Sequence, residues 1–291
     1  MFEYHRPGTV AEALAVLAEV GHDGKVLAGG QSLVPLLNMR LAAPRHLVDV
    51  NWLAGLDEVA CGPDAVRVGA LARHARVEHD RAATGAVPLL GQAIADIAHA
   101  SVRNRGTVVG SLVHADPAAE LPAVLVLLGG TMELARAGDG VRRVAAADFF
   151  LGPLESAVRP GELATAATFP RPAPGAGSAW VEVARRHGDY AICGVGVLVE
   201  LDRGLRVAAA RAALISVGPV PVPVDLTDAL GGQPHDAADW AAAGRLAAEA
   251  TEPEDDIHAS AAYRRHLAGV LTARAARAAA AHAVSRLEGA A

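Results

Sequence analysis

Pro160, Pro170, Pro172 and Pro174 crowd into the stretch Pro160 to Gly177, and no long regular element can run through it. Proline fixes φ and lacks a backbone N–H, so this stretch frames one strand and then a linker. A chain of 291 residues is about twice the length of a typical domain. The linker therefore predicts two domains, residues 1–175 and 176–291.

Hydrophobic residues make up 52% of the chain and aromatic residues only 3%. Much of the apolar content is alanine, so the core has to be built from small aliphatic side chains, which favours helices packed closely on sheets. A net charge of -6 gives no field that attracts a nucleic-acid backbone, and nucleic acid is not an expected partner. The start, Met1 to Val10, has no apolar signal core. The longest apolar run, Leu121 to Leu128, contains Pro122 and is far short of the roughly 20 residues of a membrane span. The expectation is a soluble, cytoplasmic protein. Cys61 and Cys193 are the only cysteines and stand far apart, which excludes a disulfide framework and a four-cysteine iron–sulfur cluster in this chain. Both are expected to be buried.

Thr9 followed by Glu12 is a capping-box pattern that opens a helix ending near Gly21. A strand over Lys25 to Ala28, a glycine turn, a short helix over Leu33 to Arg40 and a strand over His46 to Val50 follow in quick succession. Further along we expect a strand at Val66 to Gly69, helices at Pro88 to Ala98 and Ala118 to Leu128, and strands at Thr131 to Arg136 and Val141 to Val144. Past the linker, Trp180 to Val183, Ile192 to Leu201 and Leu205 to Ile215 read as strands of one sheet. Helices at Asp236 to Ala250 and Ser260 to Arg286 should cover it, with Tyr263, Leu267, Val270 and Leu271 on the buried stripe.

Three segments could carry chemistry. Ala28-Gly29-Gly30-Gln31-Ser32 lies between a strand and a helix, where glycines let backbone N–H groups approach a phosphate that side chains would obstruct. It is neither a Walker loop nor a Rossmann fingerprint, and two glycines can equally be structural. Thr107-Val108-Val109-Gly110-Ser111, read as a loop, puts a glycine and hydroxyls ahead of His114, Asp116 and Glu120. These groups suit a second phosphate contact and a ribose hydroxyl, a metal site, or simple capping of the next helix. Arg185-Arg186-His187-Gly188-Asp189-Tyr190 places a tyrosine beside a tight turn, where its ring can stack on a flat ring system or merely line a surface hairpin.

In this order, AGGQSL, then NRGT-x-x-GSL-x-HADP-x-AELP, then ARR-x-GDYA and YRRHL at Tyr263 to Leu267 resemble the FAD-binding (medium) subunit of molybdenum hydroxylases, the carbon monoxide dehydrogenase and xanthine dehydrogenase family, over almost the whole chain. The resemblance implies an α+β protein: an FAD-binding module of two α+β lobes, then a C-terminal α+β domain with a sheet covered by helices. It assigns the first phosphate loop to Leu27, Ala28, Gly29, Gly30, Gln31, Ser32 and Leu33, and the second to Thr107, Gly110 and Ser111 with Asp116 and Glu120 nearby. It places Leu163 and Ala164 at the adenine or the flavin ring through their backbone, and Tyr190 near the isoalloxazine. Two positions depart from the family pattern. Val109 stands where the family has the first glycine of Thr-x-Gly-Gly, which is costly if that position needs positive φ. Val181 and Glu182 occupy a strand in which the family often has a lysine.

The resemblance also implies a division of labour. Substrate is hydroxylated at a molybdenum cofactor on a large partner subunit, electrons cross two [2Fe–2S] clusters on a small partner subunit, and this chain passes them through FAD to an external acceptor, in a dimer of heterotrimers. No side chain here then needs to act as an acid or base, and no metal site is expected in this chain. Two other readings stand beside it: a free-standing FAD-dependent oxidoreductase of the same flavin-binding fold, and an assembly subunit that has lost FAD.

Overall fold

The computed structural model describes residues 2–290. The chain begins with a small lobe made of β1 (Glu3–His5), α1 (Val10–Val20), β2 (Gly24–Leu27), α2 (Leu33–Asn38) and β3 (His46–Asp49). Its three strands are parallel in the order β1-β3-β2. Helix α1 starts and stops as its sequence predicts. The Thr9 hydroxyl accepts the Glu12 N–H at 3.1 Å, the Glu12 carboxylate accepts the Gly8 N–H at 2.8 Å, and Gly21 ends the helix at φ 53°.

A larger lobe follows, with β4 (Val59–Cys61), β5 (Ala65–Gly69), α3 (His74–His79), α4 (Arg81–Ala86), α5 (Pro88–Asp96), α6 (Ala100–Arg103), α7 (Val108–His114), α8 (Glu120–Leu127), β6 (Thr131–Arg136), β7 (Gly140–Ala145), β8 (Phe150–Gly152), β9 (Glu155–Ser156) and β10 (Glu162–Pro170). Five of these strands form an antiparallel sheet in the order β4-β5-β10-β6-β7. The strand bracketed by Pro160 and Pro170 is thus the central one. It tolerates proline because Pro170 falls at its last residue, opposite Ala65.

The chain ends in an antiparallel meander of β11 (Gly177–Ala184), β12 (Ala191–Leu201), β13 (Val207–Ile215) and β14 (Val222–Asp225), followed by α9 (Thr227–Leu230), α10 (Trp240–Glu249) and α11 (Ala261–Ala290). Strand alternation splits its side chains between two cores. Val195, Val197, Val199, Ala212 and Leu214 pack under α11, on which α10 in turn packs, in one core. Trp180, Leu198, Ala213 and Ile215 face the other way and join the core of the preceding lobes, against α5 and α8. A sheet covered on both faces explains why β12 reads as a nearly continuous apolar run. Each fully buried Val, Leu or Ile contributes about 1.5–3 kcal/mol of transfer free energy. The same sheet therefore stabilises both halves of the molecule.

The alanine bias is realised as close backbone approach. Gly177 on β11 lies against the backbone of Ala279 and Ala283 in α11, and Gly244 of α10 lies against Gly269 of α11, with no room for a Cβ in either place. Two sequence expectations fail here. Tyr263 is exposed, and Arg264 takes its place on the buried stripe, donating to the Ile192 and Ser216 carbonyls at 2.7 and 3.0 Å and to Asp256 at 2.6 Å. Cys61 is exposed on the edge strand β4, whereas Cys193 is buried and its thiol is pushed up to about 12, mainly by burial. Helices α3 and α4 were not foreseen, because their polar, alanine-rich residues carry no apolar periodicity. No helix among the described residues is long and apolar enough to cross a membrane.

Candidate functional site

Strands β2 and β3 are parallel neighbours, so their carboxyl ends open on the same side, where loops of such sheets bind ligands. Leu27 ends β2, Ala28 to Ser32 form the turn, and Leu33 opens α2. Among the described residues, the N–H groups of Gly29, Gly30, Gln31 and Ser32 find no acceptor in the chain. Unsatisfied amides gathered in one turn form a site for an anion's oxygens. Gly30 has φ 72°, which a residue with a Cβ rarely adopts. Gly29 is small for another reason: a Cβ there would lie 2.5 Å from the Arg105 carbonyl and 3.1 Å from the Thr107 nitrogen. The two glycine-containing segments are therefore pressed together.

The turn borders a cleft of about 370 Å³ that also involves Pro35, Asn38, Asp49, Asn51 and Arg105. Asn51 fixes its shape. Its side-chain amide donates to the Ala28 carbonyl at 2.8 Å and to Asp49 at 2.7 Å, while its oxygen accepts from Arg73 at 2.6 Å. Arg73 also donates to the Arg105 carbonyl at 2.5 Å, so one guanidinium ties both segments together. Burial pushes the Asp49 carboxyl up, but hydrogen bonds from Tyr4 at 2.5 Å and from Asn51 outweigh it and leave the group below its ordinary pKa. A larger recess of about 450 Å³ beside Trp52 and Asp57 shares only Asn51 with this cleft and lacks the turn.

The segment read as a loop at Thr107 to Ser111 is helical. Thr107 is the N-cap of α7, its hydroxyl accepting the Gly110 N–H at 3.1 Å, and Gly110 and Ser111 lie inside the helix. Caps of this kind satisfy an otherwise orphaned donor. A Cβ on Gly110 would stand 2.5 Å from the Thr107 hydroxyl, so glycine here protects the cap. Val109 sits in the first turn, is buried, and has no positive φ. The backbone cost expected of a valine at this position is therefore absent. Behind this segment His74 is buried against Gly106, with neither ring nitrogen well hydrogen bonded. Burial, with the nearby Arg103 charge, pushes it down to about 4, so it stays neutral there.

A second group of polar residues gathers where the halves of the chain meet: Asp96 ends α5, Asp116 follows α7, Glu120 opens α8 and Glu182 lies on β11. Burial, then the Glu182 charge, pushes Glu120 up to about 8. Burial pushes Glu182 up to about 7, although the Trp180 indole N–H donates to it at 3.1 Å. Tyr190 presents an exposed ring, while burial around its hydroxyl and the Asp116 and Glu120 charges raise its pKa. Two contacts clasp the halves nearby: Ser178 and Gln92 exchange hydrogen bonds at 3.2 Å, and the Ser216 N–H donates to the Pro117 carbonyl at 2.9 Å. At neutral pH two of these carboxyl groups hold protons for part or all of the time, close to an exposed aromatic face.

The structure thus packs the turn of residues 27–33 against the backbone of Arg105 to Thr107, with Arg105 lining the cleft, and groups Asp116, Glu120 and Tyr190 at the junction of the halves. Leu163 and Ala164 are buried in the central strand β10, paired with Ala135 and Leu134. Sequence reasoning overlooked Asn51, Arg73 and Arg105. Asn51 was readable in principle, since it lies two residues past the end of β3, the strand beside β2.

Residues 1–172 match the family described as the FAD binding domain in molybdopterin dehydrogenase, and residues 178–279 match the CO dehydrogenase flavoprotein C-terminal domain. The chain is 41% identical to the caffeine dehydrogenase subunit beta of Pseudomonas sp. (strain CBB1) over 76% of its length and 75% of that protein's. It is 35% identical to the carbon monoxide dehydrogenase medium chain of Afipia carboxidovorans, covering 94% of this chain and 95% of that one. The structure of quinoline 2-oxidoreductase from Pseudomonas putida 86 superposes with a TM-score of 0.91 at 38% identity, over 97% of this chain and 98% of that one. A glycine turn with free amides and arginines beside it suits a diphosphate, and with these matches the chain belongs to the FAD-binding flavoprotein family of the molybdopterin dehydrogenases.

Proposed function

We propose that this chain is the FAD-carrying electron exit of a heteromeric molybdenum hydroxylase. In this reading a large partner subunit holds the molybdenum cofactor and a small one holds [2Fe–2S] clusters, in a cytoplasmic dimer of heterotrimers. When bound, FAD supplies a centre that takes electrons singly and yields them in pairs to an external acceptor. The chain's own residues bind and orient. Gly29 to Ser32 donate amides to the diphosphate, with Leu27, Ala28 and Leu33 shaping the turn. Arg105 supplies positive charge at the cleft, and Arg73 and Asn51 hold the turn in place. Thr107, Gly110 and Ser111 build the helix start packed behind it. Asp116 and Glu120 lie toward the flavin end, Tyr190 offers its ring to the isoalloxazine, and Leu163 and Ala164 contribute through backbone. The boundary between FAD-binding and C-terminal domains falls between residues 175 and 176.

The observation that carries this reading is the contact of Gly29 with Arg105 and Thr107, which unites both predicted phosphate segments beside four free amides. The test is the visible spectrum of the purified chain, followed by mass identification of the released cofactor. One non-covalent FAD per chain, with substrate oxidation appearing only when partner subunits are added, is the expected result. Turnover by the chain alone would point to a free-standing oxidoreductase. No flavin binding with excess FAD and partners present would leave an assembly role.

A further inference from the structure

Far from the flavin cleft in its chemistry, the first lobe carries a group of side chains that no part of the electron path uses. In the parallel pairing of β1 with β3, Glu3 stands opposite His46. His5 is two residues beyond Glu3, on the same face of β1. The three side chains converge. His5 Nε2 lies 3.0 Å from His46 Nδ1, one Glu3 oxygen lies 3.9 Å from His5 Nε2, and the other lies 3.6 Å from His46 Nδ1.

A hydrogen bond between the imidazoles accounts for one side of this triangle only. The two carboxylate distances are too long for hydrogen bonds, yet the Glu3 carboxylate makes no ion pair with Arg or Lys among the described residues. Zinc bound tetrahedrally at about 2.0–2.1 Å by nitrogen and oxygen keeps its ligand atoms about 3.3 Å apart. The three closest approaches, 3.0, 3.6 and 3.9 Å, bracket that spacing. Both imidazoles are largely shielded, with 21% and 26% of their side chains exposed, while Glu3 is 67% exposed and closes the outer side. Among the described residues this is the one group of three or more His, Cys, Asp or Glu whose ligand atoms come this close together.

We propose that Glu3, His5 and His46 form a binding site for a single borderline divalent cation, Zn2+ in the first place, with a water in the fourth position. Two imidazoles select Zn2+ and its neighbours over Mg2+ and Ca2+, which take oxygen ligands. The ion joins β1 to β3 across an edge that is otherwise held by three residue pairs. It stabilises the lobe that carries the glycine turn on the other neighbour of β3. The site stands independently of the flavin reading.

The test is calorimetric titration of ZnCl2 into the full-length chain without a polyhistidine tag, stripped with chelator and saturated with FAD. One Zn2+ per chain is expected, with a rise in Tm on binding. The double variant His5→Ala with His46→Ala should abolish this event, and the exposed control His258→Ala should retain it. Glu3→Gln, a change at an exposed side chain whose fold is checked by circular dichroism, should weaken binding about tenfold or more, in line with the cost of disturbing metal ligands and their support. The proposal is overturned if the wild-type chain takes up no Zn2+, or if the double variant or Glu3→Gln binds it with unchanged stoichiometry and affinity. FAD occupancy is read from the same samples, so failure here is separable from failure of the flavin site.

Discussion

The two ends of the proposed flavin site are built in opposite ways. The turn at Gly29 to Ser32 works with backbone amides, and its nearby side chains, Asn51, Arg73 and Arg105, either brace it or add positive charge. The junction near Tyr190 works with side chains, four of them carboxylic acids, two held near or above neutrality by burial. Backbone geometry cannot be adjusted by small substitutions, whereas carboxyl groups can be exchanged or titrated. In the proposed reading the first end therefore sets whether a diphosphate binds, and the second sets the electrical environment of whatever lies beside Tyr190.

The largest effect that would break this contrast belongs to Gly29→Ala. Its Cβ would collide with the Arg105 carbonyl, so the segments must separate, and FAD affinity should fall about 100-fold or more, some 3 kcal/mol, in a fluorescence-quenching titration. Near-normal binding would show that the turn is not the diphosphate site.

Titration sharpens the other side. Glu120 is raised from 4.5 to about 8, so its proton is bound more tightly in the folded chain than in the unfolded one. The stability it contributes is fully present below about pH 4.5 and is lost as pH rises toward 8. Glu182, raised to about 7, acts in the same direction. Glu120→Gln, which stays neutral at all pH values, should flatten the decline of Tm between pH 5 and 8.5, leaving the variant about 2 kcal/mol better placed at the alkaline end. An unchanged slope would mean that water reaches the group.

Val109→Gly tests whether the second segment is core rather than ligand contact. Lost burial and added backbone entropy in a helix should cost about 2 kcal/mol in urea unfolding, with FAD affinity unchanged. Asn51→Ala removes the brace of the first turn and should weaken FAD binding by about tenfold, the worth of one or two hydrogen bonds. Smallest of all, Tyr190→Phe keeps the ring and loses the hydroxyl. FAD affinity should change less than about threefold while the flavin absorption band shifts slightly. A large loss of affinity would make the hydroxyl, and not the ring, the contact.

What the sequence showed and what it hid divide along physical lines. The helix of Thr9 to Gly21 and the strand–turn–helix at Gly29 were legible because capping and glycine chemistry are local. The strand between Pro160 and Pro170 was visible, but its place at the centre of a five-stranded sheet depends on distant partners. Thr107 to Ser111 was misread because hydroxyls and glycine suit a loop as well as a capped helix start, and only the Thr107 to Gly110 hydrogen bond decides between them. On α11, apolar spacing favoured Tyr263, yet Arg264 is buried because the open carbonyls of Ile192 and Ser216 and the carboxylate of Asp256 converge on it, a circumstance no local pattern records. Asn51 and Arg73 act through segments far along the chain, and their role appears only in three dimensions.

The sheet of β11 to β13 sits between two cores, and this has a consequence for the order of events on the ribosome. Synthesis delivers α5 and α8 well before the strands that cover them. Until Trp180, Leu198, Ala213 and Ile215 emerge, the nascent first half carries an uncovered apolar face, open to chaperones or to another nascent chain. Completion of the flavoprotein is then a late event, in which the chain from Gly177 onward closes a surface the first part has already prepared.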